Sequence, residues 1–262
     1  MIEASLRSQV LEIMSQVEGT FGLVIRIVDT GEEVEVNGDE TFPAASIIKL
    51  PILVETLRQR FEGHLRFDEK VVLREEDKVG GSGVLKEMTP GLALPLADVL
   101  TLMIIVSDNV AANIAINRIG IENVNLYMRR LGLQKTVLQR KLMDFEARRR
   151  GLDNIASPRD MADLLQKLVT KTMLNEENCE KALDIMKRQQ VRDRIPRYLP
   201  VGTPVAHKTG EITGIRHDVG VVFAGNRPYI ISAMSKDLKD EYKGMEAIAR
   251  ISQIVFKAVT AA

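Results

Sequence analysis

The stretch FPAASIIKLPIL, residues 42–53, sets Ser46 and Lys49 three positions apart in a segment that is otherwise almost wholly apolar and carries no other charge. Beyond it Leu53, Val54, Leu57 and Phe61 keep the helical period and Gly63 supplies a left-handed stop, so a helix starts close to Ser46 and runs to about residue 61. Pro51 supports that start, because a proline in the first turn has no helical N–H partner to lose. Ser46 and Lys49, at i and i+3, lie on one helix face and can touch. A serine hydroxyl is a poor nucleophile until a base takes its proton, and a lysine that is desolvated and close to other cations can be that base. The N–H groups of a helix start can also face a developing oxyanion. A plainer role fits the same two residues, with Ser46 capping the helix and Lys49 snorkelling to water.

On the amino-terminal side, Leu6, Val10, Met14 and Val17 recur at helical spacing, which predicts an amphipathic helix over residues 2–18. FGLVIRIV then reads as a strand, and the TGEE turn into VEVNG makes a first hairpin. On the carboxyl side, residues 96–119 are a mostly apolar helical region interrupted at Ser107-Asp108-Asn109 and ended by Gly120. IENVNLYMRRLG is a further helix. Ser157-Pro158-Arg159-Asp160 opens another, through about Lys171, with a capping serine and proline at the first position. NEENCEKALDIMKRQ is the next. HDVGVVFA and PYIISAMS are β-rich runs joined at Gly225-Asn226-Arg227, and a last amphipathic helix covers about residues 242–258. The order predicts a two-lobed α/β (α+β) chain. Residues 1–40 and 196–262 would share an antiparallel sheet flanked by the terminal helices. Residues 41–195 would form an inserted all-helical lobe, with the active site in the cleft.

Composition narrows the function. The 262 residues hold 36 Lys+Arg against 36 Asp+Glu and only 4% aromatics, which offers nucleic acid neither a basic field nor stacking surfaces. Cys179 is the only cysteine, so no intrachain disulfide forms, and a reducing compartment fits. The start MIEASLRSQVLEIM has acidic residues and lacks an export signal's basic start and apolar block. The expected location is cytoplasmic, or periplasmic or secreted for a chain whose leader was removed. The apolar region around Val99–Val106 is far shorter than the ~20 residues that span a bilayer. No membrane partner is expected, and the expected state is a monomer.

Two further motifs bear on Ser46 and Lys49. Ser107-Asp108-Asn109 puts three small polar residues into an apolar helical run, where burial without partners is costly. Lys208-Thr209-Gly210 begins an extended segment whose glycine admits a substrate backbone and whose lysine can bind a carboxylate or polarise a serine. In the order S-x-x-K, S-D-N, K-T-G, the three match the pattern of class A β-lactamases and penicillin-binding proteins. Over about residues 20–260 the chain resembles a class A β-lactamase-type serine hydrolase.

That resemblance implies a β-lactamase-like fold and an acyl-enzyme at Ser46, with Lys49 as activating base. It implies that Ser107 relays a proton to the leaving atom and that Lys208 tunes it. Asn109 would bind the substrate amide, and Thr209, next to Gly210, would hold the substrate carboxylate. The backbone N–H groups of Ser46 and Glu211 would form the oxyanion hole. Arg216, in TGIRHD, stands where the family often has a second carboxylate-binding arginine. The implied substrate is a small molecule, a β-lactam, ester or amide, with no cofactor. The alternatives within the fold are an esterase or amidase, a DD-peptidase-like enzyme, or a penicillin-binding sensor acylated without turnover.

One departure concerns release. The family's loop after the SDN helix carries E-x-x-L-N, whose glutamate activates the deacylating water, and LQRKLMDFEARRRGLDN lacks it. Counting from Leu138-x-Arg140 puts Leu142 at the glutamate position and Glu146 at the asparagine, while counting from the SDN lands on Met143. Asp144 and Glu146 are the nearest carboxylates. They can orient water, or serve structure by pairing with the Arg148-Arg149-Arg150 run.

Other chemistries fit poorly. GGSGV around Ser82 lacks the second glycine of a G-x-S-x-G elbow and reads as a turn or a flexible rim of the site. His217 and Asp218, adjacent in a strand, point to opposite faces and make a poor relay. Three histidines without a cysteine cluster or HExxH give no metal site.

Overall fold

The computed structural model describes residues 2–261. In chain order, α1 (Ile2–Ser15), β1 (Thr20–Ile27), β2 (Glu33–Val36) and β3 (Phe42–Pro43) lead into a 3₁₀ turn, Ala45–Ile48, and α2 (Lys49–Phe61). Then follow β4 (Lys70–Val72), β5 (Ala93–Pro95), α3 (Leu96–Ile105), α4 (Asn109–Ile119), α5 (Ile121–Arg130) and α6 (Phe145–Arg149). The last elements are β6 (Ile155–Ala156), α7 (Pro158–Val169), α8 (Glu176–Lys187), β7 (Val205–Ile212), β8 (Ile215–Ala224), β9 (Arg227–Lys236) and α9 (Glu241–Thr260).

Alternation along the strands builds two cores from one sheet. The five strands run in the order β2-β1-β9-β8-β7, each pair antiparallel, so the chain's two ends do share a sheet. Leu23, Ile25, Tyr229, Ile231 and Val222 face one side, where they bury Leu6 and Val10 of α1 and Ile248, Ile251 and Val255 of α9. Their neighbours Val24, Ile230, Val219 and Val221 face the other side and join Ile47, Ile52, Leu53, Leu100, Ala111 and Leu165 in the larger core. A sheet covered on both faces needs apolar residues at nearly every position, which the burial of Val219–Val222 satisfies.

Local signals place the helices. Ser157 accepts from Asp160 N, with Pro158 at the first position of α7, as the sequence predicts. Gly63 ends the α2 segment at φ 81°. Two differences matter for the site. The α-helix begins at Lys49, because residues 45–48 wind tighter, with Ala45 at φ 44°. β7 begins three residues before Lys208, so the K-T-G motif lies within the edge strand of the sheet. No helix among the described residues is long and apolar enough to cross a membrane.

Candidate active site

The site forms where β7 packs against the 3₁₀ turn. A Cβ on Gly210 would lie 3.2 Å from Ile47 Cγ2 and 3.3 Å from Ala44 O, so a larger residue would push the strand away from the turn that carries Ser46. Ser46 is half-buried and reachable, and Lys49 behind it is fully buried.

Lys49 Nζ lies 3.1 Å from Ser46 Oγ, 3.1 Å from Ser107 Oγ, 2.8 Å from Ser107 O and 2.7 Å from Asn109 Oδ1. An ammonium has three protons for these four oxygens. A neutral amine has two protons and a lone pair, and can accept from a hydroxyl. Burial, with Lys208 adding like charge, pulls Lys49 well below the ordinary lysine range, against an opposing effect of Asp108. Lys208 Nζ lies 3.1 Å from the same Ser107 Oγ and donates to Thr209 O at 2.8 Å. Burial is the main cause that lowers it to about 7. Ser107 Oγ therefore bridges two depressed lysines.

Ser107 reaches this position because the chain turns sharply between α3 and α4, with Ser107 at φ 55°, rare for a non-glycine residue. Asp108 fixes the turn. Its Oδ1 accepts from Ala111 N (2.9 Å), capping α4, and its Oδ2 accepts from Val84 N (2.6 Å) and Leu85 N (2.8 Å). Asn109 donates its side-chain amide to Gly80 O (3.0 Å) and its backbone N–H to Ser82 O (3.0 Å). The glycine loop thus adheres to the SDN turn. Gly81 and Gly83 have no room for a Cβ, which would lie 2.5 Å from Asn109 Nδ2 and 2.4 Å from Asp108.

Four of the sequence-selected residues, Ser46, Lys49, Ser107 and Lys208, thus form one continuous chain of contacts, with Asn109 attached. Thr209 and Gly210 lie beside them in β7. Arg216 is placed otherwise. Its guanidinium pairs with Glu241 and donates to Ile212 O (2.9 Å) and Ile215 O (2.7 Å). Asp144 and Glu146, considered for deacylation, have local partners. Asp144 caps α6 by accepting from Ala147 N at 2.9 Å, and the exposed Glu146 pairs with Arg149. Both carboxylates have partners within this short helix, and among the described residues no direct hydrogen bond joins either to Ser46 or Lys49.

Asn113 fixes the same loop. One amide accepts from Leu142 N (2.8 Å) and donates to Leu142 O (3.0 Å), which holds that residue's backbone and leaves its side chain 8% exposed in the larger core. Asn113, an amide in the middle of the apolar α4, is the same kind of signal as Ser107-Asp108-Asn109, but its partner Leu142 lies 29 positions on and no spacing points to it.

Two other arrangements were not legible. His207 Nδ1 lies 2.9 Å from Asp218 Oδ1, and Asp218 Oδ2 accepts from Ile195 N at 3.0 Å, all three residues fully buried. The pair is diagonal across β7 and β8, where His207 faces Gly220, so register alone reveals it. His217 instead serves structure: it bonds Pro43 O through Nε2 (2.9 Å) and accepts from Ser235 N at Nδ1 (3.1 Å). Burial lowers it to about 4, so it stays neutral. Arg194 is completely buried and pairs with Glu211, but in QVRDRIPRYLP it looks like any exposed arginine.

A family model described as "Beta-lactamase enzyme family" matches residues 5–259. Beta-lactamase CARB-3 of Pseudomonas aeruginosa is 28% identical over 244 residues, 90% of this chain and 84% of the relative. Among solved structures, a beta-lactamase from Sphaerobacter thermophilus superposes with TM-score 0.91 at 31% identity, covering 98% of both chains. PBP-A superposes at 0.90 with 32% identity over 98% of this chain and 97% of its own. A leucine-to-glutamate mutant of PBP-A, solved as an acyl-enzyme with penicillin G, superposes at 0.91 with 32% identity, over 99% of this chain and 97% of its own.

Proposed function

The chain belongs to the beta-lactamase enzyme family, and on that premise we propose that it is a serine acyl-transferring hydrolase that takes β-lactams onto Ser46 and releases them slowly. The observation that carries the reading is the contact of Lys49 Nζ with both Ser46 Oγ and Ser107 Oγ. Neutral Lys49 takes the Ser46 proton as Oγ forms a bond to the lactam carbonyl carbon. The backbone N–H groups of Ser46 and Glu211 hold the oxyanion. The C–N bond then breaks, Ser107 gives its proton to the leaving nitrogen, and Lys49 returns the proton it took to Ser107. Lys208, lowered to about 7, keeps positive charge beside Ser107 for part of the time at neutral pH. Thr209 orients the substrate.

Release needs an activated water, and the loop supplies no base. Leu142 holds the clamped, inward position with a side chain that accepts no proton, while Asp144 and Glu146 are engaged in α6. Deacylation then falls to Lys49, already used for acylation, and slow turnover is expected. The relatives named as β-lactamases and the penicillin G acyl-enzyme of the PBP-A mutant support the substrate class.

The test is to incubate the protein with penicillin G and with a chromogenic cephalosporin, following intact mass and turnover together. A single acyl adduct that Ser46→Ala and Lys49→Ala both abolish, with turnover well below the typical enzyme range of about 1–10³ per second, is expected. No adduct and no turnover with intact Ser46 would overturn the reading. In that case short-chain esters become the substrates to test.

A further inference from the structure

Asn109 and Asn113 stand one turn apart on the same side of α4, and each holds a different loop. Asn109 gives its amide to Gly80 O and its backbone N–H to Ser82 O, and Lys86 Nζ donates to Gly81 O at 2.6 Å, so three consecutive carbonyls of the glycine loop are engaged. Asn113 holds Leu142 by both its N–H and its carbonyl. Met143, the next residue, is half-buried and bridges the two loops. A Cβ on Gly81 would stand 2.5 Å from Asn109 Nδ2 and 3.0 Å from Met143 Sδ, and one on Gly80 would stand 3.7 Å from Met143 Cε, so the thioether and the Asn109 amide crowd the same side of Gly81. Asn109 Oδ1 in turn accepts from Lys49 Nζ at 2.7 Å, and Nζ is 3.1 Å from Ser46 Oγ. The backbone bends to place the thioether there: Met143 is at φ 64°, where an L side chain is strained, and its O accepts from Phe145 N at 3.0 Å in the tight turn before α6.

We propose that Met143 limits release of the acyl group, its thioether closing the seam between the glycine loop and the 141–143 turn to small nucleophiles that would reach the ester on Ser46 beside Lys49. The inference rests on the Ser46 acylation proposed above. Ser46 is half-buried, and an acyl group arriving from its open side then covers that side. Lys49, the group left to activate water, is fully buried, so the way left to it runs past Asn109, where the apolar thioether stands. The loops on either side are pinned by their hydrogen bonds and do not widen the seam by themselves. Met143 forms no bond to the substrate and acts on access alone, so acylation, which consumes no water, does not depend on it. Slow release then has two causes, a missing base and a closed seam.

Hydroxylamine separates the two, because it attacks an ester without a base to activate it. Its nitrogen bonds to the ester carbonyl carbon, the bond from that carbon to Ser46 Oγ breaks, and a proton passes from the nitrogen to Oγ, which leaves a hydroxamate and free Ser46. The penicillin G adduct, freed of excess penicillin, is followed by intact mass with and without hydroxylamine in wild type, Met143→Gly, Met143→Ala and Met143→Leu. The wild-type adduct unfolded in urea gives the rate for an open ester. Glycine takes φ 64° without strain, so Met143→Gly removes the thioether and keeps the turn; alanine removes it at the wild type's backbone strain, and leucine restores the bulk. Hydroxylamine is expected to release the folded wild-type and Met143→Leu adducts far more slowly than the unfolded one. In Met143→Gly and Met143→Ala release should be about tenfold faster than in wild type, as when a closure worth about 1.4 kcal/mol is removed, with acylation rates unchanged. Rates in both small variants within about twofold of wild type, or a folded wild-type rate that already matches the unfolded adduct, would overturn the seam alone. Absence of any adduct in wild type would overturn the acylation reading and this inference with it.

Discussion

Replacing Lys208 by methionine should stabilise the protein at acid pH while damaging its chemistry. Lys208 is fully buried and its pKa falls from 10.5 to about 7, a difference of roughly 3.5 units or about 5 kcal/mol at 1.36 kcal/mol per unit. The folded-state value is depressed, so between pH 7 and 10.5 the unfolded chain binds a proton that the folded chain lacks, and stability rises with pH across that window. Below about pH 7 both states are protonated and the folded protein carries the whole cost. Methionine keeps the chain length without the charge, but gives up the contacts to Ser107 Oγ and Thr209 O, worth about 1 kcal/mol each. The expected net gain at pH 6 is about 2–3 kcal/mol. By pH 9, two units above its folded pKa, wild type recovers about 3 kcal/mol relative to the variant. Urea unfolding of both proteins from pH 6 to 9 supplies the difference curve, in which groups common to the two cancel. A difference constant to within 0.5 kcal/mol (about one-sixth of the expected change) would refute a neutralising Lys208.

Leu142→Glu places a carboxylate where Asn113 already holds the backbone. Release of the acyl group should accelerate about 10²–10⁴-fold, the usual contribution of a positioned general base, at some cost in stability from burying the new group. The lifetime of the penicillin adduct by mass spectrometry is the check, and an unchanged lifetime in folded variant counts against the loop reading. Asp108→Ala leaves the N–H groups of Val84, Leu85 and Ala111 without their acceptor. It should cost about 3–5 kcal/mol, with Asp108→Asn milder because its one amide oxygen retains part of the bonding. A thermal shift corresponding to less than about 1 kcal/mol would show that the turn does not depend on this carboxylate.

Much of the site can be read along the chain because its main residues sit in short motifs whose spacing is fixed by local geometry. Ser46 and Lys49 are one helical turn apart, so their contact follows from the backbone that Pro51 helps set. Ser107, Asp108 and Asn109 announce themselves as polar residues in an apolar run. The β-rich runs near both chain ends likewise point to a sheet that the two ends share. What the motifs leave open is where residues without a local pattern go. Asp144 and Glu146 stand close in sequence to the expected glutamate position, and only the fold shows their local partners, Ala147 N for Asp144 and Arg149 for Glu146.

The sequence by itself determined the pairing of Ser46 with Lys49 as candidates for nucleophile and base, and the absence of the E-x-x-L-N motif, since each is a statement about residue type at a short spacing. Only the tertiary structure decided that Ser107 bridges two buried lysines, that Asn113 clamps Leu142, and that Arg194 lies against Glu211. These contacts join residues 17 to 101 positions apart. Their strength comes from burial, which depresses lysine pKa values and makes every unpaired polar atom expensive, and burial is a property of the packed molecule.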